Sequence, residues 1–218
     1  MGTTHAHLRS SDRDGFENVV RDPCRVRHFL DDEVPRADVE HMVELAMCAT
    51  STCAGQAWRF IAIRDRELMA AMRDVVLERF DELALTPGLA LQEHKRTAAR
   101  AQALQFAKAP LCIAVLALPS GSPIEQLLEL AGLTREEHER LCVRPELQSA
   151  GAAVQLLTTS AHSLGYSCCW TCAPIVAGEG LERLLGVEPP ARLVALVAVG
   201  KAAEQPEASQ RVPLERTL

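Results

Sequence analysis

Two apolar runs, LCIAVLAL at 111–118 and the stretch ARLVALVAVG at 191–200, constrain this chain more than any other feature. A strand with one solvated face alternates apolar and polar residues. A run without alternation belongs to a strand buried on both faces. Around these runs lie helical patterns. Pro35 opens one in which Val39, Met42, Val43, Ala46 and Met47 recur at helical spacing. RELMAAMRDVVLERFDELAL and LQEHKRTAARAQALQFAK read as two more, separated by Thr86-Pro87-Gly88, and Ser11 or Asp12 can cap a first helix that Pro23 ends. ELQSAGAAVQLLTTSAHSLG reads as a helix of small residues closed by Gly165, and GLERLLG as a short one. WRFIAIRD and YSCCWTCAP read as strands, the second running into a turn. With no internal repeat and no linker, the expectation is a single α+β domain over residues 12–218, with a helical insertion at 119–147.

Composition narrows the function. The 218 residues are enough for one core, and a net charge of −6 leaves no basic excess for nucleic-acid phosphates. No apolar run is long enough to span a bilayer, and MGTTHAHLRSSDRDGF lacks an export signal, so a cytoplasmic protein is expected. In that compartment the eight cysteines are expected to be thiols. Cys169-Trp170-Thr171-Cys172, preceded by Cys168, has three readings: packed core thiols, a redox pair, or part of a metal site needing another donor. The segment CRVRHFLDDEVP is basic and then acidic. Read by itself, Arg25 and Arg27 belong to a solvated loop paired with Asp31, Asp32 or Glu33.

Four segments, in this order, resemble the nitroreductase family. CRVRHFLDDEVP is similar to its Arg-Arg-Ser-x-Arg-x-Phe signature followed by a Val-Pro helix start. ATSTCAGQAWRFIAIRD resembles its Pro-Ser-x-x-Asn-x-Gln-Pro-Trp-x-Phe loop and strand. SAGAAVQLLTTSAHSLGYSCCWTCAP resembles its Gly-Ala-Ala helix, Gly-Leu-Gly turn and Cys-Trp-x-Gly-Ala-Pro stretch. VALVAVG with the later Arg211-Val212-Pro213-Leu214 completes the pattern.

The resemblance implies a mixed sheet flanked by helices, an intertwined homodimer, and FMN held at the dimer interface. Electrons would pass from NAD(P)H through the flavin to a small acceptor such as a nitroaromatic or quinone. By the same resemblance Arg25, Arg27 and Arg211 would face the FMN phosphate and ribityl chain. Ser51, Thr52, Ala54 and Gln56 would reach the flavin from the partner subunit. Cys172 and Ala173 would form the turn whose amides face the flavin ring, and Trp58 is expected to pack in the core. No side chain is assigned a catalytic role, since the flavin carries the redox chemistry. Two departures stand out. Pro23 replaces the leading Arg of the first signature, and Ala54 replaces an Asn that would hydrogen-bond the ring. They leave a second reading open: a repurposed member with weakened FMN binding, serving as a binding protein or using Cys53 and Cys172 in metal or redox chemistry. The dimethylbenzimidazole-synthase branch of the superfamily is a further possibility that no residue singles out.

Overall fold

The computed structural model describes residues 10–21, 26–51, 55–86, 88, 92–119, 121–141, 144–204 and 212–217. Its helices are α1 (Ser10–Arg21), α2 (Arg36–Ala46), α3 (Arg66–Ala84), α4 (Glu93–Ala103), α5 (Pro123–Leu130), α6 (Arg135–Leu141), α7 (Pro145–Ser163) and α8 (Gly178–Leu185). Its strands are β1 (Trp58–Ile63), β2 (Leu111–Ala117), β3 (Ser167–Thr171) and β4 (Arg192–Gly200), in the sheet order β1-β2-β4-β3. The α+β class with a sheet flanked by helices is as expected, and the three pairings among the described strands are all antiparallel. The unbroken apolar character of β2 and β4 comes instead from their central position, with helices against both faces.

The alternation hidden in those runs becomes visible once the layers are in place. Leu111, Ile113 and Val115 of β2, with Ala195, Val197 and Val199 of β4, face Val39, Met42 and Ala46 of α2 and Ala150, Ala153, Val154 and Leu157 of α7. Cys112, Ala114 and Leu116, with Leu193 and Leu196, face Met69, Met72 and Val76 of α3 and Leu181 of α8. Leu193 and Leu196 share a face although three residues apart. The register slips at Val115/Leu116, and such a bulge inserts one extra residue into a strand.

Local chemistry sets several boundaries. Asp65 caps α3, its Oδ1 accepting from the amides of Glu67 at 2.8 Å and Leu68 at 3.2 Å. Gly165, at φ +84°, takes the left-handed turn that ends the α7 segment and starts β3. The stretch expected as one helix over 91–108 is shorter: α4 stops at Ala103, and a tight 3-10 turn over Gln105–Lys108 brings Phe106 fully into the core. Two helices, α5 and α6, occupy the segment 119–147.

The Tyr166 hydroxyl donates to Asp38 Oδ2 at 2.6 Å, tying the entry of β3 to the first turn of α2. Burial, the hydrogen bond to Asp38 and the nearby carboxylate charge push the phenol up to about 12. A raised folded-state value means that this contribution is complete below the ordinary tyrosine value of about 10 and is lost as pH climbs through 12. Tyr166→Phe should therefore cost about 1–3 kcal/mol at neutral pH. Thermal melts of the two proteins should converge between pH 10 and 12, and an equal Tm at pH 7 would refute the assignment.

Candidate functional site

The sheet's outer strand β3 pairs only with β4 among the described strands, and no other described strand lies along its outer edge. Beside the start of that edge lies the segment carrying Arg27. The Val26 amide donates to the Cys168 carbonyl at 3.4 Å, Phe29 bridges Ala202, Leu30 N donates to Lys201 O at 2.9 Å, and Ala203 N to His28 O at 3.0 Å. Those bonds fix the backbone on both sides of an exposed Arg27. At the far end of the same strand, Cys172 is exposed and Ala173 half-buried, leading into the 3-10 turn Ala173–Ala177. Four residues separate Cys168 from Cys172, roughly 13 Å at the rise of a strand. Trp170 projects between them and is 46% exposed.

The electrostatics around Arg27 differ from the solvated-loop reading. Each carboxylate of the acidic run is engaged elsewhere: Asp31 with Arg66 at 3.1 Å, Asp32 with Lys201 at 3.0 Å, and Glu33 with Arg64 at 3.1 Å. Arg27 makes no ion pair among the described residues, and the exposed Glu204 does not partner it either. A guanidinium with no carboxylate partner among the described residues is suited to an anionic oxygen from outside the chain.

Ser51 and Gln56 lie elsewhere. Gln56 is exposed, and its Nε2 donates to Met47 O at 3.2 Å, tying the loop to the end of α2. Trp58 follows directly and opens β1 opposite Ala117. It is core packing as expected, 4% exposed in the cluster with α2 and α7, and its Nε1 has no hydrogen-bond partner among the described residues. The loop stands at the same end of the sheet as Cys172 but on the opposite edge, three strand spacings or roughly 14 Å away. Within one chain, then, Arg27 and the Cys172–Ala173 turn share an edge, and Ser51 and Gln56 do not join them. Arg25, Thr52, Ala54 and Arg211 lie outside the described residues, as do Pro23 and Cys53.

The cysteines divide by environment. Cys168 and Cys169 are buried on opposite faces of β3, while Cys172 is exposed beyond its end. Among the described residues no three His, Cys, Asp or Glu gather into a possible metal site. Cys112 is wholly buried, and desolvation pushes its thiol well above the ordinary range. Cys48 is exposed, with its Sγ 3.6 Å from Glu44 O. A maleimide at pH 7 should label Cys48 within minutes and Cys112 only on unfolding, read by peptide mass mapping. Equal labelling of both in the native state would contradict this packing.

Sequence reasoning did not find Trp170, Thr171 or the cations that hold the acidic run. Thr171 Oγ1 accepts the Ala173 amide at 3.3 Å, a long neutral bond at the turn. YSCCWTCAP carried the alternation of a strand, but nothing in it distinguishes an edge from a centre. Arg64, Arg66 and Lys201 lie 31 to 169 residues from their partners, so only the fold brings them together.

The nitroreductase family model matches residues 25–201. The chain belongs to the nitroreductase family. Membership places it among oxidoreductases and covers the whole edge just described. A BluB-like flavoprotein from Clostridium difficile 630 is 26% identical, with 93% of this chain and 96% of that one covered at a TM-score of 0.82. An FMN-dependent nitroreductase from Clostridium difficile R20291 shares the fold at 17% identity and a TM-score of 0.58, with 90% and 91% covered. A Methanothermobacter thermautotrophicus protein, provisionally named NADH dehydrogenase/NAD(P)H nitroreductase, is 29% identical over 73 residues. That alignment takes in 34% of this chain and spans 38% of the relative's length. No helix among the described residues is long and apolar enough to cross a membrane.

Proposed function

We propose that this nitroreductase-family chain is an FMN-dependent oxidoreductase that works as a homodimer, taking electrons from NAD(P)H and passing them to a small acceptor such as a nitroaromatic or quinone. The observation that carries the reading is the outer edge of β3, along which no other described strand pairs. FMN has a dianionic phosphate and a redox ring at opposite ends of an extended ribityl chain. A guanidinium with no ion pair among the described residues stands beside one end of the edge and a main-chain turn beyond the other, and this donor set fits that molecule. The flavin-binding names of the two structural relatives support it.

Each residue has a defined task in this reading. Arg27, with Arg25 and Arg211, binds phosphate. The amides of Cys172 and Ala173 orient the ring, for which Ala173 must exchange its bond to Thr171. Bound there, FMN supplies hydride and electron transfer. Ser51, Thr52, Ala54 and Gln56 come from a second copy in this reading, because the sheet edge next to Gln56 is about three strand spacings away. That second copy also gives a place to α1, whose Phe16 and Val20 stay 58% and 48% exposed in the single chain. The α5–α6 segment, with Ile124, Leu127 and Leu130 exposed, covers the substrate mouth as a specificity element in a cytoplasmic enzyme.

The first test is a visible spectrum of freshly purified protein, repeated on the supernatant after heat denaturation. About one FMN released per chain is expected. A colourless protein that refuses added FMN would overturn the reading and favour the repurposed alternative, which Ala54 in place of a ring-bonding Asn already motivates. A sulfur-to-metal charge-transfer band would move attention to Cys53 and the Cys168–Cys172 cluster.

A further inference from the structure

We propose that the ion pairs Asp31–Arg66, Asp32–Lys201 and Glu33–Arg64 are positioning contacts that keep the acidic run away from Arg27 and so leave its guanidinium available to a phosphate; this rests on the reading of Arg27 as a phosphate-binding residue. Three carboxylates, Asp31, Asp32 and Glu33, follow Arg27 within six residues along the chain. Without other partners they are its nearest source of negative charge. Each is instead matched to a cation from outside the segment. Arg64 and Arg66 come from the corner between β1 and α3, and Lys201 from just past β4.

Stability does not explain the arrangement. Asp31 and Glu33 have side chains 94% and 79% exposed, and pairs in such surroundings add little to folding. What the pairs do accomplish is engagement, since a carboxylate at 3.0–3.1 Å from its own cation is locally neutralised and held in that pair.

Lys201 offers the cleanest test. Its side chain makes the single ion pair to Asp32 among the described residues, whereas Arg66 also donates to Ala109 O at 3.2 Å. The backbone bonds that hold the segment, Leu30 N to Lys201 O and Ala203 N to His28 O, do not depend on the lysine side chain. Lys201→Met therefore frees Asp32 while leaving the ladder in place.

The experiment titrates flavin-stripped full-length protein with FMN and with riboflavin, which lacks the phosphate. In low salt, Lys201→Met should raise the Kd for FMN by roughly three- to tenfold and leave riboflavin unchanged. In 1 M salt, where the screening length is about 3 Å, the difference should largely vanish. Lys201→Met with Asp32→Asn should return FMN binding to near the parent value, because the competing charge is gone. An unchanged FMN affinity in Lys201→Met would overturn the proposal. So would a double variant as weak as the single one, which would mean that Lys201 touches phosphate itself or merely stiffens the loop. The underlying reading fails separately: an Arg27→Ala protein that binds FMN normally removes the phosphate role whatever Lys201 does. A parent protein that takes up neither flavin overturns both.

Discussion

Replacing Arg27 with alanine is expected to weaken FMN binding by about ten- to a hundredfold and to leave riboflavin binding within about twofold of the parent. A charge-assisted hydrogen bond from a guanidinium to a phosphate is roughly twice as strong as a neutral one, and about 1.4 kcal/mol corresponds to each factor of ten. The ceiling is set by sharing, since Arg25 and Arg211 would carry part of the same load. The riboflavin control separates a lost phosphate contact from a collapsed pocket, which would weaken both ligands alike. Arg27→Lys should fall between parent and alanine, because an ammonium keeps the charge and loses the planar fork. Activity at saturating FMN should recover in both variants, because the Cys172 turn proposed to face the flavin ring stands at the other end of β3. If Arg27→Ala binds FMN as tightly as the parent, Arg27 is a surface residue without a phosphate role.

Much of the fold was legible in the sequence because its strongest signals are local. The two apolar runs declared the central strands, Pro35 stands at a helix start, and Gly165 marks a helix end. What was not legible is pairwise. Nothing in LCIAVLAL says whether its neighbours run parallel or antiparallel, because a strand buried on both faces loses the alternation that would reveal its sides. The three-residue spacing of Leu193 and Leu196 on one face was equally hidden, since the bulge arises from pairing with β2.

The candidate site divides along the same line. Arg27, Gln56, Cys172 and Ala173 could be nominated from motif likeness, and their order along the chain was enough to do so. Their arrangement was not: Arg27 and Cys172 share an edge only because β3 lies outermost, and Gln56 is remote only because β1 is the opposite border. The sequence-level pairing of Arg27 with Asp31, Asp32 or Glu33 rested on proximity in the chain. It lost to three cations supplied by the β1–α3 corner and the end of β4. Short-range charge matching is a weak guide where strand ends converge, because the fold delivers competing partners at hydrogen-bond distance.

Gly200→Ala should be the most damaging small substitution in the sheet, lowering stability by about 1–3 kcal/mol and Tm by roughly 3–10 °C. A methyl at this position would meet Pro110 Cδ at 2.7 Å and Cγ at 2.8 Å, and Phe29 Cδ1 at 3.2 Å. The proline ring has no rotamer to vacate, and it directly precedes β2, whose first residue pairs with Val199. Relief must therefore come from the backbone of β4 or from Phe29. Phe29 belongs to the bridge with Ala202 that fixes the Arg27 segment, so displacement there reaches the site. The variant should accordingly lose FMN affinity as well as Tm, and Arg27→Ala should then weaken FMN by a smaller factor in the Gly200→Ala background than in the parent, since both act on one contact. Fully additive losses would place the two effects in separate parts of the molecule. A Tm within about 1 °C of the parent would mean that the end of β4 has room to move, and that the Arg27 segment is held by the hydrogen bonds of Val26, His28 and Leu30 without help from Phe29.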